Sequence, residues 1–307
     1  MIWSVIFLIV GFILLFRGSD AFVDAAASTA QRMHIPRLII GTTLVAMGTS
    51  APEAAISIAA AIRGADGISV GNIIGSNITN VFLILGLTAL IGAPVIHKNT
   101  RQYELPFVGM ITLLLCLVGL WFGAISRTSA LLFLVLFLGF IGYTIIMARR
   151  GHSDGEEIKD ISWGKTVIMI IGGLAAIVFG GELITNSATK IATYFGVSQR
   201  VIGLTLVAFG TSLPELVVST TAAIKHEYDI AIGNIIGSNI FNILFVLGTA
   251  AMVRPIPFQT AFITDGAIAL MAIAMLMIFT VQHSKLGRIG GIVFLCSYVA
   301  YLVYLIA

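Results

Sequence analysis

Gly48-Thr49-Ser50-Ala51-Pro52-Glu53 recurs later in the chain as Gly210-Thr211-Ser212-Leu213-Pro214-Glu215. Each copy sets a carboxylate, two hydroxyls and a proline inside a run otherwise suited to lipid. An ionisable side chain at membrane depth is costly and marks a functional site by default. The proline lacks a backbone donor and disfavours helix at the residue before it. The sequence therefore predicts a helix break in each copy, with carbonyls one turn back left free. Two such breaks facing each other would form a cage of oxygen atoms, the donor set of hard cations such as calcium and sodium.

The surroundings support a membrane setting. Of the 307 residues, 58% are hydrophobic and 10% charged, and the mean hydropathy is +1.06. Soluble domains carry about 25% charged residues, so the composition is that of a polytopic membrane protein. The formal net charge of +3 does not signal nucleic acid, because the basic residues sit in short loops, where they set topology. Cys116 and Cys296 both lie in apolar runs and read as small buried hydrophobes rather than a disulfide or metal pair. The first apolar run has no basic leader and continues into Arg17-Gly18-Ser19-Asp20, so it reads as a retained span.

The chain is duplicated. Glu53 and Glu215 lie 162 residues apart (215 − 53 = 162), and the same offset joins Gly41 to Gly203, Asn72 to Asn234, Ser76 to Ser238 and Asn80 to Asn242. Asp20 and Glu182 also fall on it. Residues 40 to 86 match their second copy without a gap at roughly half of their positions. Apolar runs predict ten spans: 2–27, 37–62, 69–92, 105–124 and 129–148, then 165–192, 200–224, 230–252, 261–281 and 288–306. The predicted fold is an all-α membrane protein of ten transmembrane helices, with repeats at 1–148 and 165–307 and a polar linker at 149–164. Five spans per repeat turn the second repeat over relative to the first, as in secondary transporters whose site lies between inverted halves. With the termini outside, eleven loop lysines and arginines fall on the cytoplasmic side against five outside, Arg17 within the first span being left uncounted. That excess places both termini outside and the linker inside.

A second doubled motif, Gly-Asn-Ile-Ile-Gly-Ser-Asn-Ile-x-Asn, begins at Gly71 and Gly233. Within it Ser76 and Asn80, like Ser238 and Asn242, are four apart and so share a helix face. The candidate ligands are Glu53, Glu215, Thr49, Thr211, Ser50, Ser212, Ser76, Ser238, Asn80 and Asn242, with the carbonyls near Ala46 and Ala208. All are oxygen, which argues against zinc or copper. Gly71, Gly75, Gly233 and Gly237 read as helix-packing positions, while Asn72, Asn77, Asn234 and Asn239 read as packing or as support for the ligands. Glu53 and Glu215 have no lysine or arginine at their depth to pair with. Asp20, close to Arg17, reads as a partnered structural or gate residue, and the five histidines read as solvated. No resident cofactor is implied. An intramembrane enzyme is disfavoured, since neither a His-Glu-x-x-His nor a Gly-x-Ser-x-Gly motif is present.

At these two doubled motifs the chain resembles the calcium/cation antiporter superfamily, and within it the prokaryotic sodium/calcium exchangers. The resemblance spans essentially the whole chain. It implies that Glu53 and Glu215 are shared calcium and sodium ligands, completed by the other residues named above, and that three sodium ions exchange for one calcium at the inner membrane. It also implies that the first and sixth helices slide to alternate access. The partners implied are calcium and sodium ions and the lipid bilayer, with no nucleic acid and no obligate protein partner. Potassium-dependent members carry Asp where this chain has Asn242, so potassium independence is expected. A calcium/proton antiporter is the alternative reading, since two carboxylates could carry two protons. A channel suits an inverted repeat with one central site less well.

Overall fold

The computed structural model describes residues 2–150, 161–196, 208–281 and 284–306. They form an all-helical membrane fold, with one two-residue strand pair joining Ala124–Ile125 (β1) to Ile256–Pro257 (β2). The helices are α1 (Ile2–Met33), α2 (Arg37–Thr49), α3 (Ala51–Arg63), α4 (Gly67–Ile91), α5 (Thr100–Phe122) and α6 (Arg127–Arg150). The second part contributes α7 (Trp163–Tyr194), α8 (Ala208–Thr211), α9 (Leu213–Ile224), α10 (Tyr228–Val253), α11 (Ala261–Val281) and α12 (Arg288–Ile306).

Eight of these are long and apolar enough to cross a bilayer alone, and α2 with α3 forms a further broken span, bent by 48°. In the expected seventh span, the start at 200–207 lies outside the described residues, as does most of the 149–164 linker; α8 and α9 form the rest. The first span extends to Met33 rather than 27. At 1.5 Å per residue its 32 residues reach about 48 Å, well beyond the hydrocarbon layer.

Small residues decide which helices touch. A methyl group on Gly11 would lie 2.9 Å from the Gly180 carbonyl, and one on Gly18 would lie 2.8 Å from that of Gly173. α1 and α7 therefore meet backbone to backbone in antiparallel register. In the same way Gly233 abuts the Leu38 carbonyl and Gly237 that of Thr42, seating α10 against α2. The packing role expected of these two glycines is thus met, as is usual for small residues in membrane helices. Gly71 and Gly75 behave differently. Neither meets another backbone among the described residues, and both line a cavity instead.

α10 is the most enclosed of the described spans, buried along nearly all of its apolar stretch, while α1, α6, α7, α11 and α12 are buried over less than a third of theirs. Cys116 is buried, but Cys296 is exposed on α12, contrary to the sequence reading. Bilayer hydrocarbon is itself apolar, so an apolar position in a span need not lie inside the protein.

Candidate cation site

The two helix breaks meet at the centre. Ser50 leaves helical geometry at φ −83°, ψ 10°, and Ser212 does the same at φ −86°, ψ 2°. Pro52 and Pro214 follow in the first turn of the next helix, where a missing N–H costs nothing. Glu53 and Glu215 stand in those same first turns, where the helix dipole favours an anion. Both carboxylates are 1% exposed.

Hydrogen bonds cross between the repeats. The Ser50 hydroxyl donates to Glu215 Oε1 at 2.7 Å. On the other side the Ser212 hydroxyl reaches Ser76 Oγ at 3.3 Å, and Ser76 reaches Glu53 Oε1 at 3.5 Å. Thr49 donates to Asn234 Oδ1 at 3.0 Å, and its repeat mate Thr211 donates to Asn72 Oδ1 at 3.3 Å. The amide nitrogens of Asn72 and Asn234 then bond Ser57 Oγ (3.0 Å) and Ser219 Oγ (2.9 Å). These two serines are absent from the candidate set drawn from sequence. The signal was there, since Ser57 and Ser219 lie on the 162-residue offset, four residues after each glutamate.

A further asparagine pair sets the ligand amides. Asn80 Nδ2 donates to Asn239 Oδ1 at 2.9 Å, and Asn242 Nδ2 donates to Asn77 Oδ1 at 3.2 Å. With each nitrogen committed, the Asn80 and Asn242 oxygens are left without a donor, buried and fully enclosed. Asn77 and Asn239 thus act as supports. The helices widen at these positions into π-helical segments, Asn80–Leu85 in α4 and Phe241–Leu247 in α10. Such insertions are often found at functional sites.

Glu53 Oε2, Glu215 Oε2, Asn80 Oδ1, Asn242 Oδ1 and Ser238 Oγ are all buried without a hydrogen-bond partner. No lysine, arginine or histidine forms an ion pair with either glutamate among the described residues. An orphaned buried carboxylate oxygen is expensive, whereas a cation held among such atoms satisfies all of them together. Among the described residues no cluster of three or more His, Cys, Asp or Glu could hold a metal. Two charges plus neutral oxygens suit an exchangeable hard cation better than a resident transition metal.

The backbone expectation needs correction. The Ala46 carbonyl is not free: it accepts the Ser50 amide at 3.0 Å, and the Thr49 hydroxyl, whose shorter bond goes to Asn234 Oδ1, lies 3.3 Å from it. That amide bond is the last i→i−4 bond of α2, so the helix holds this oxygen and the break begins only at Ser50. Ala208 opens the described helix α8. In this second copy the Ser212 amide bonds Phe209 O at 3.1 Å.

Asp20 is partnered, but by Lys225 rather than Arg17. Of the histidines, His97 pairs with Asp229 at 3.0 Å and His226 Nδ1 meets the Tyr228 hydroxyl at 3.0 Å. His152 and His283 lie outside the described residues.

A helical membrane fold that gathers unpaired acceptor oxygens at two related helix breaks is the architecture of an ion transporter. The sodium/calcium exchanger protein family model matches the chain twice, over residues 3–146 and 165–307, so the chain belongs to that family. Among its relatives, the putative antiporter CaxA of Alkalimonas amylolytica is 37% identical over 98% of each chain. The sodium/calcium exchanger MaX1 of Methanosarcina acetivorans is 32% identical over 97% of each. The solved sodium-calcium exchanger NCX_Mj superposes with a TM-score of 0.87 at 34% identity, covering 99% of this chain and 98% of its own.

Proposed function

We propose that this protein is a secondary antiporter that moves calcium one way and sodium the other through one central site. The class is that of its family, cation/calcium transporters rather than enzymes. The observation that carries the specific reading is the set of five buried acceptor oxygens at Glu53, Glu215, Asn80, Asn242 and Ser238. Two of them bear charge and balance one calcium ion. The hydroxyls of Thr49, Ser50, Ser76, Thr211 and Ser212 around them offer further oxygens, so sodium ions can occupy the flanks when calcium leaves. Calcium accepts six to eight oxygens in irregular geometry, whereas magnesium demands a tight octahedron, so this crowded cage favours calcium.

In this reading the chain crosses the inner membrane ten times as two inverted five-helix repeats, with both termini outside and 149–164 inside. The pairwise matching of hydrogen bonds at the 162-residue offset supports two equivalent halves around one site. Access alternates between the two faces. Exchange of three sodium ions for one calcium makes the cycle electrogenic, and an amide at Asn242 in place of a third acid makes it independent of potassium.

The test is sodium-gradient-driven calcium-45 uptake by purified protein in proteoliposomes at fixed pH. Uptake driven by a proton gradient and indifferent to sodium would move the reading to calcium/proton antiport.

A further inference from the structure

Lys225 follows α9 directly and reaches across to α1. Its Nζ lies 2.6 Å from Asp20 Oδ1, 2.6 Å from Asp24 Oδ1 and 3.0 Å from the Asp20 carbonyl. The two carboxylates are one helical turn apart, so a single ammonium spans both. Burial lowers the lysine's proton affinity, but both carboxylates outweigh it and hold its pKa above the ordinary range. Beside it, Arg37 of α2 pairs with Glu227 at 3.0 Å, so this face is tied by charge on two sides.

The 162-residue offset maps Lys225 onto Arg63 and Asp20 onto Glu182. The signs are kept, so the second repeat carries a basic residue and an acid for the same contact. Arg63 closes α3 and Glu182 stands on α7, and both are exposed. Among the described residues no ion pair joins them. One member is weaker, because Asp24 maps onto Asn186 and leaves that contact with a single carboxylate. The face on which Arg63 stands is also the open one. A cavity of ≈ 680 Å³ runs from Gly67, Ile68 and Asp265 to Asn72, Ser76 and Thr211.

We propose that Lys225 with Asp20 and Asp24, and Arg63 with Glu182, are two ionic latches that close opposite ends of the ion path in turn. The structure shows the first latched and the second released. The extra carboxylate makes the Lys225 latch the tighter one, which sets this conformation as the resting state. This rests on the alternating-access reading given above.

The test is disulfide formation between Arg63→Cys and Glu182→Cys in full-length reconstituted protein, with Cys116 and Cys296 replaced by alanine. With Lys225 intact the disulfide should form slowly. Lys225→Met should accelerate it about fivefold, the population shift expected from losing a partly exposed ion pair at the upper end of the usual range. Lys225→Arg keeps the charge and should leave the rate slow. Asp20→Asn with Asp24→Asn tests the same latch without touching the lysine, should Lys225→Met fold poorly. A rate unchanged by removing either side of the latch, or equally fast with it intact, overturns the proposal. Sodium-driven calcium flux in the same vesicles tests the antiport reading separately. A shifted disulfide without flux keeps the latch and removes that reading, while flux with an unshifted disulfide does the reverse.

Discussion

Glu215→Gln is the sharpest test of the central site. In the structure Ser50 donates to Glu215 Oε1 at 2.7 Å, and Oε2 is buried with no partner. A glutamine there keeps its carbonyl oxygen on the Ser50 hydroxyl, which needs an acceptor. Its NH2 group then replaces Oε2 and points two donors at the cation. The loss of one charge alone, at about 4 Å and an effective dielectric near 20, is worth about 4 kcal/mol for each unit of cation charge. Even the monovalent figure corresponds to about a thousandfold in binding, and calcium should lose more. Exchange should therefore be nearly abolished at any practical calcium concentration. Folding should survive, because an amide is cheaper to bury than an orphaned acid. Calcium-45 flux in proteoliposomes gives the first readout, and size-exclusion with thermal unfolding gives the second. Near-normal sodium-driven flux in this mutant would refute the placement of the cation between the two breaks. Glu53→Gln should behave alike, since Glu53 Oε2 is orphaned in the same way.

Three further outcomes are expected. An inside-negative potential set with potassium and valinomycin should speed sodium entry and calcium export if three sodium ions exchange for one calcium, as proposed, because that exchange would move one charge per turnover, worth about 2.3 kcal/mol per 100 mV; flux indifferent to potential would favour proton coupling. Transport should proceed equally without potassium, and Asn242→Asp should strengthen cation binding and slow release, whereas a strict potassium requirement in the unmodified protein would contradict this. The hydrogen bond that the His97 ring donates to Asp229 raises its pKa more than partial burial lowers it. The pair's stabilisation is therefore full below histidine's ordinary value of about 6.5 and fades as pH rises through the higher folded value. The difference in melting temperature between the unmodified protein and His97→Gln should be largest at the acid end. It should be small throughout, since a half-exposed pair contributes within about 1 kcal/mol, and a difference that grew with pH would show the sign to be wrong.

The duplicated motifs, read along the chain, determined a good deal. Glu53 and Glu215 stood out because a carboxylate among apolar residues is costly wherever the chain places it, and Pro52 and Pro214 break a helix through their own covalent geometry. The 162-residue register named Thr49 with Thr211 and Asn80 with Asn242 before any contact was known. These are local or compositional properties, and they survive without knowledge of neighbours. What the sequence left open depends on helix rotation and crossing. Whether Asn80 turns its oxygen or its nitrogen to the centre was decided by Asn239, 159 residues away, which takes the nitrogen. Gly233 and Gly237 press on α2, whereas Gly71 and Gly75 line a cavity, although the motif is the same in both repeats. The Ala46 carbonyl looked free, yet α2 stays helical past it and the Ser50 amide takes it. Asp20 has Arg17 three residues away, yet its partner is Lys225, 205 residues on. Apart from Ala46, the deciding contact lies across a helix interface. Interfaces in lipid are fixed by small-residue packing and the pairing of buried polar groups, because lipid gives helices no hydrophobic drive to associate. The sequence supplied the groups, and only the packed structure assigned their partners.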